Sequence, residues 1–338
     1  MNYYNKYIPS EGNENARIYI VGEAPGEQEH REGRPFIGES GRLLRDSLSR
    51  HGISAAECYI TNLCHYRPNN NNLKLVLGEQ IFKDGLTELF SALKRNKPNV
   101  IVPLGNYPLK YVTGKDGIKK WRGSIITYLG DKTIKAIPTF HPAAILRDGS
   151  FYPTFDLDIK RIAEDSLFPE LRLPVRNFVI NPRGLDLEEW VQKLCAAEYL
   201  GTDIETIKSS SRILCVGFAP NPETAVCLST DRPGNIEAIR RILASDSKKI
   251  FQFGTFDSLQ LCELNGYEIK NYAWDTNNAQ HILAPELPRS LEYLSSIYTR
   301  EPYYKTVGRG TIPDDEKGWS EKVEKQSLYE YNCRDCCC

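Results

Sequence analysis

Four short apolar runs, each closed by a glycine- or proline-marked loop, limit what this chain can fold into more than any other feature. RIYIVG from Arg17, CYITNL from Cys58, NVIVPLG from Asn99 and KAIPTF from Lys135 read as strands. Helix-like segments stand between them. SGRLLRDSLSRHG puts Leu43, Leu44 and Leu48 on one helical face and stops at Gly52; the second half of LKLVLGEQIFKDGLTELFSALKRN keeps the same period. Apolar strands alternating with helices need cover on both faces. The expected fold is therefore α/β, a mostly parallel sheet between helical layers, with the working loops at the carboxyl ends of the strands.

At roughly 150 residues per domain, 338 residues make room for two. FPELRLPVRN, around positions 168–177, is the expected linker between domains spanning 1–170 and 177–338. Beyond it, NFVINP reads as a strand and LDLEEWVQKLCAAE as a helix with Leu187, Val191 and Leu194 on one face. YLGTDIET, ILCVGFAP and TAVCLST then read as three strands suited to a meander.

Composition sets outer limits. With 41% hydrophobic and 26% charged residues the chain is neither disordered nor a disulfide miniprotein, and its formal net charge of −1 makes any contact with a polyanion a local matter. No apolar run approaches a membrane span, and the start lacks the core of a secretory signal, so the expected location is the cytoplasm. Of the ten cysteines the six scattered ones, Cys58, Cys64, Cys195, Cys215, Cys227 and Cys262, include no CxxC pair; Cys333, Cys336, Cys337 and Cys338 crowd an end expected to fray, which suits free thiols better than a metal site.

Three strand-end loops of the first half hold the unusual residues: GEAPG with GRPFIG, TNLCHYRPNNN, and PTFHPAAILR. Singly, each has a plain explanation: Glu23 a solvated loop acid, Phe36 a loop anchor, Asn62 a turn residue, His141 a satisfied structural histidine. In order and at their separations, GEAPGEQEHREGRPFIGESGRLL, YITNLCHYRPNN and IPTFHPAAILR resemble the uracil-DNA glycosylase superfamily, of the family 4 and 5 type, from about Arg17 to Leu167. The resemblance implies that a uracil flipped out of DNA stacks on Phe36 and is read along its amide edge by Asn62. It also implies a donor, His141, near the oxygen that gains charge as uracil leaves, and a carboxylate, Glu23, near the sugar or the attacking water. Ile145 or Leu146 would be the apolar wedge in the minor groove and Arg147 a phosphate contact. Many family 4 enzymes hold an iron–sulfur cluster. Here the first fifteen residues lack cysteine and Tyr66 stands where a third ligand would be, so no iron–sulfur cluster is expected.

In the second half, Asp203 and Glu205 sit two apart on a strand and so share a face. Alone, such a pair is weak evidence. Asp257 follows at the start of a helix, and Tyr331 and Asp335 stand four apart on another. The set resembles the DEDDy 3′–5′ exonucleases, the proofreading type of family A DNA polymerases, which implies a ribonuclease H-like domain. Asp203, Glu205, Asp257 and Asp335 would then ligate two Mg²⁺ or Mn²⁺ ions, and Tyr331 would orient the attacking water. Asp275 is either structural or a further member. The second motif usually carries Asn where this chain has Phe253.

The two resemblances in tandem are similar to the front end of certain bacteriophage polymerases; on that resemblance the exonuclease is expected to be truncated at its last helix, a polymerase domain or subunit to be missing from the chain, and the location to be the host cell's cytoplasm. The expected function is DNA processing: a metal-dependent 3′–5′ exonuclease with uracil recognition and excision, DNA as partner and no membrane. A rival from another class is a non-catalytic DNA-binding or uracil-sensing module. Small-molecule binding by a doubly wound sheet has little support, since no GxGxxG follows the first strand.

Overall fold

Every residue of Ile18–Gly22 is buried, as a strand covered on both faces requires. The computed structural model describes residues 1–305 and 325–338; positions 306–324 of the second expected domain lie outside the described residues. Two units result, Met1–Leu173 and Pro174–Cys338. Strands of the first are β1 (Tyr3–Tyr7), β2 (Ile18–Gly22), β3 (Cys58–Asn62), β4 (Tyr66–Pro68), β5 (Val100–Pro103), β6 (Ile126–Thr127) and β7 (Lys135–Ala136). Its helices are α1 (Glu27–Glu32), α2 (Glu39–Arg50), α3 (Gln80–Arg95), α4 (Asn106–Thr113), α5 (Ile118–Trp121), α6 (Pro142–Arg147) and α7 (Tyr152–Asp165).

The main sheet runs β3-β2-β5-β7-β6, parallel except where β6 meets β7. β1 and β4 form a separate antiparallel pair. Leu44 and Leu48 of α2, Leu89 of α3 and Ile159 of α7 join Ile18, Ile20, Ile60 and Val102 in one core. KAIPTF is a shorter strand than its apolar run suggests. Beyond Ala136 the segment still donates to β5, from Ile137 to the Ile101 carbonyl at 2.9 Å and from Thr139 to the Pro103 carbonyl at 3.0 Å, but Pro103 has no N–H to return, and the regular ladder gives way to an isolated bridge, Leu104 with Thr139. The Gly/Pro-rich loop after β2, read from sequence as irregular, contains α1, which ends at the left-handed Gly33 (φ 82°).

The second unit contains β8 (Asn177–Ile180), α8 (Gly184–Ala196), β9 (Tyr199–Thr206), β10 (Ile213–Asn221), β11 (Thr224–Ser229), α9 (Pro233–Leu243) and β12 (Lys248–Phe251). α10 (Gly254–Ser258), β13 (Tyr272–Asp275), α11 (Thr276–Leu283), α12 (Leu291–Tyr298) and α13 (Lys325–Cys337) follow. The sheet order is β13-β12-β9-β10-β11-β8. β9, β10 and β11 are the expected antiparallel meander, flanked by parallel β12 and β8, the plan of a ribonuclease H-like exonuclease domain.

Alternation along β10 sends Val216 and Phe218 to the core beneath α8 and α9, and Cys215 and Ala219 to the opposite core beneath α13. The cysteine-rich end is not frayed as expected. Cys333 and Cys337 are buried on α13 beside Cys215 and Cys227, all as free thiols, because a cysteine packs as a small apolar residue. Among the described residues no helix is long and apolar enough to cross a membrane.

Candidate active sites

Register brings the first site together. Gly22 at the end of β2 lies opposite Asn62 at the end of β3, and a Cβ on Gly22 would collide with the Asn62 amide oxygen and the Phe36 ring. Glycine therefore lets base-sized groups meet at the strand ends. Glu23, Phe36, Asn62, His141 and Arg147 line one cavity of about 290 Å³, with Pro68, Asn71 and Leu73 closing another side. Asn62 is 4% exposed and Phe36 5%. Phe36 sits at φ 51°, a left-handed conformation that a bulky residue adopts only when its surroundings impose it. Arg45 helps impose it: its Nε donates to the Phe36 carbonyl at 3.0 Å while its guanidinium pairs with Glu11 at 3.2 Å.

His141 caps α6. Its Nδ1 accepts from the Ala143 N–H at 3.2 Å, so in the neutral ring the proton lies on Nε2. Burial, reinforced by the Arg147 charge, pushes the imidazole down to about 4, which leaves a neutral donor at pH 7. The Phe36 ring centroid is 6.0 Å from that of His141. Glu23 is pushed upward by burial, against the Tyr107 backbone N–H and the Arg147 charge that favour its anion. Gly105 (φ 92°) separates the two, its own Cβ position lying 3.1 Å from Glu23 Oε1 and 3.3 Å from His141 Cβ.

Of the two residues offered as a wedge, Ile145 points inward. It is 4% exposed and belongs to the core, whereas Leu146 is 45% exposed and Arg147 faces solvent. Successive helical positions point about 100° apart, so with Ile145 inward its neighbour turns outward.

Several supports escaped the sequence reading. Glu29 accepts from the backbone N–H groups of Gly26 (3.1 Å), Ile37 (3.1 Å) and Gly38 (2.8 Å), tying both ends of the loop that holds Phe36. Asp158 of α7 pairs with buried Arg122 and accepts from Thr139 Oγ1 at 2.7 Å, anchoring the segment that delivers His141. Asn71, in the NNNN run, lines the cavity and accepts from Arg67 Nε at 2.9 Å. Tyr66 packs edge-on against Tyr3, centroids 5.5 Å apart.

The second site joins β9 to α13. Ligand oxygens of Asp203, Glu205 and Asp335 all lie within 4.8 Å of one another. An oxygen-only set of carboxylates suits a hard divalent cation. Asn332 Nδ2 donates to Asp203 Oδ2 at 2.9 Å; this residue, too, was missed. Asp203 and Glu205 are held well above the usual carboxylate range, first by burial and then by the neighbouring carboxylates. Such a cluster favours an added positive charge. Tyr331 is also pushed up, by burial and by Asp335, Glu205 and Asp203, so its hydroxyl keeps its proton.

The fourth acid lies beside the trio and outside that 4.8 Å group. Asp257 of α10 accepts backbone N–H bonds from itself and Ile204 and is pushed up to about 7, chiefly by burial. Asp275 is structural. It caps α11 through Asn277 and Asn278 and also accepts from Phe253 (3.2 Å) and Gly254 (2.8 Å). Phe253 is 59% exposed at φ 61°.

Comparison with known proteins points to one family for each unit. Residues 9–161 match the profile of the uracil DNA glycosylase superfamily and residues 184–308 that of a 3′–5′ exonuclease. The type-4 uracil-DNA glycosylase of Thermotoga maritima is 42% identical over 145 residues, 42% of this chain and 73% of that protein. That of Sulfurisphaera tokodaii is 36% identical over 174 residues, 48% of this chain and 76% of that one. A DNA polymerase of Bacillus phage SP01 is 30% identical over 159 residues, 47% of this chain and 17% of the polymerase. The chain belongs to the uracil-DNA glycosylase superfamily, with a DEDDy-like 3′–5′ exonuclease domain fused behind its glycosylase-type domain.

Proposed function

We propose that the protein excises uracil from DNA with its first unit and shortens DNA from the 3′ end with its second, a pairing suited to the front of a phage-type family A DNA polymerase. The observation that carries this reading is convergence. In each unit, side chains far apart in the chain meet at strand ends with the donors and acceptors that one reaction needs.

In the first unit the flipped base stacks on Phe36, and Asn62 offers one donor and one acceptor to its amide edge. The neutral His141 Nε2–H donates to the base as it departs with negative charge. Glu23 faces the electron-poor sugar, where its anion stabilises the oxocarbenium-like carbon or orients water. Leu146 and Arg147 meet the DNA at the groove and a phosphate. The same reading assigns this unit no iron–sulfur cluster, which iron and acid-labile sulfide assays on purified protein test.

In the second unit Asp203, Glu205 and Asp335 would hold one Mg²⁺ or Mn²⁺, and Asp257 would help to hold a second. Such ions supply a Lewis acid and a nucleophile at neutral pH. Asn332 keeps Asp203 turned toward the site, and Tyr331, protonated, orients the incoming water.

The test is a pair of assays on the full chain: release of free uracil from a uracil-containing single strand, lost in His141→Ala, and Mg²⁺-dependent shortening from the 3′ end, lost in Asp203→Ala. DNA binding with a steep salt dependence and neither reaction would return the binding-module reading.

A further inference from the structure

Lys305 is the unexplained member of the nuclease site. Its ammonium donates to Asp335 Oδ2 at 2.5 Å and to the Tyr331 hydroxyl at 2.8 Å, and it lies 4.7 Å from the Tyr331 ring centroid and 5.3 Å from that of Tyr304. Its side chain is 14% exposed. Tyr304 engages the other Asp335 oxygen, Oδ1, at 2.6 Å. Both oxygens of one carboxylate of the trio are thus held by the adjacent pair Tyr304 and Lys305.

We infer that Lys305 is a tethered counter-ion of the nuclease site, which neutralises Asp335 when no divalent ion is bound and must be moved aside when one is. The inference rests on the metal-dependent nuclease reading and adds a residue to it. Three carboxylates in a poorly hydrated pocket repel one another, and a buried ammonium on Asp335 offsets part of that repulsion. A divalent ion among the same oxygens would stand a few ångströms from the ammonium, where two positive charges repel strongly through a medium of low polarity. The aromatic faces of Tyr304 and Tyr331 give the ammonium a second attraction, which keeps it near the site when it leaves Asp335. Lys305 acts through Asp335 and Tyr331 and is therefore a positioning residue.

The experiment is Mn²⁺ binding to the full chain without DNA, by calorimetry, on wild type, Lys305→Met, Lys305→Arg and Asp203→Asn. Lys305→Met keeps the apolar stem over the rings and removes the charge, so it should bind Mn²⁺ roughly tenfold more tightly. Lys305→Arg should stay near wild type, and Asp203→Asn should lose the site. A residue that only supported the fold would weaken binding when replaced. Equal or weaker binding by Lys305→Met, with wild type still binding, overturns the inference alone. Binding by neither wild type nor Lys305→Met overturns the nuclease reading beneath it. Should Lys305→Met fail to fold, labelling of the wild-type amine answers the question. Modification of Lys305 by an amine-reactive reagent should rise several-fold on adding Mn²⁺, and an unchanged extent overturns the inference.

Discussion

The charge state of His141 decides whether it can act as an electrophilic donor, and the structure commits it to the neutral form. Burial and Arg147 push the ring from 6.5 to about 4. At pH 5.5 a ring with that value is protonated in roughly 3% of molecules, against roughly 90% for an unperturbed histidine. The displacement corresponds to roughly 3 kcal/mol of preference for the neutral form. Its sign follows from proton linkage: the folded protein binds this proton more weakly than the unfolded chain. The contribution to stability is intact above pH 6.5 and is lost as the pH falls from 6.5 through 4.

Long-range ¹H–¹⁵N spectra of the histidine rings, recorded from pH 8 to 4.5, should place His141 in the Nε2–H tautomer with no midpoint near 6.5. The matching kinetic test is His141→Asn, since asparagine caps a helix as well as the Nδ1 acceptor does and isolates the chemistry. Misdirecting a donor aimed at a developing anion should slow uracil release by about 10²–10³-fold. A midpoint near 6.5, an Nδ1–H tautomer, or a His141→Asn variant that excises uracil at the wild-type rate would each refute the assignment.

Asp158→Asn leaves the buried Arg122 guanidinium without its anion and should cost about 3–5 kcal/mol in urea unfolding; by loosening Thr139 it should also slow uracil release, and a variant as stable as wild type contradicts the role. Gly22→Ala drives a methyl into the Asn62 amide and the Phe36 ring, so a loss of about 1–3 kcal/mol should accompany loss of excision; unchanged excision would show that the cavity is not the base pocket. Asp257→Asn removes a carboxyl whose proton the folded state holds up to about pH 7 and the unfolded chain only to 3.8, a penalty that grows as pH rises between those values. In EDTA its Tm should match wild type near pH 4 and exceed it by a few degrees at pH 8; the reverse order rules out burial as the cause.

What could be read in advance depended on whether a local pattern carried it. Glu23 and Asn62 sit where apolar runs stop, and the strand ends of a parallel sheet are where loops converge, so their sharing one cavity was legible, while the close approach that Gly22 permits was not. Glu29 was not, because a carboxylate that satisfies three loop N–H groups leaves no periodic trace. Ile145 and Leu146 could not be sorted from within α6, a six-residue helix with too few positions to define a face. The cysteine run misled by composition, since thiols suggest metal or disorder while Cys333 and Cys337 simply fill a core.

The nuclease site sharpens the distinction. Strand alternation alone puts Asp203 and Glu205 on one face, and helical spacing alone puts Tyr331 beside Asp335. Neither rule says that the strand face and the helix face oppose each other. That depends on how α13 docks on β9 and β10, and the contact that records the docking, Asn332 to Asp203, joins residues 129 apart with no spacing rule to connect them. Lys305 belongs to the same class: its role exists only once Asp335 has been delivered by α13. Residues that perform a reaction are thus readable from local pattern, because chemistry restricts their type, whereas those that aim them become visible only with the packing. It follows that variants of Asn332 or Lys305 should alter cation affinity while leaving the fold of β9 and α13 in place, and variants of Asp203 should abolish the site outright.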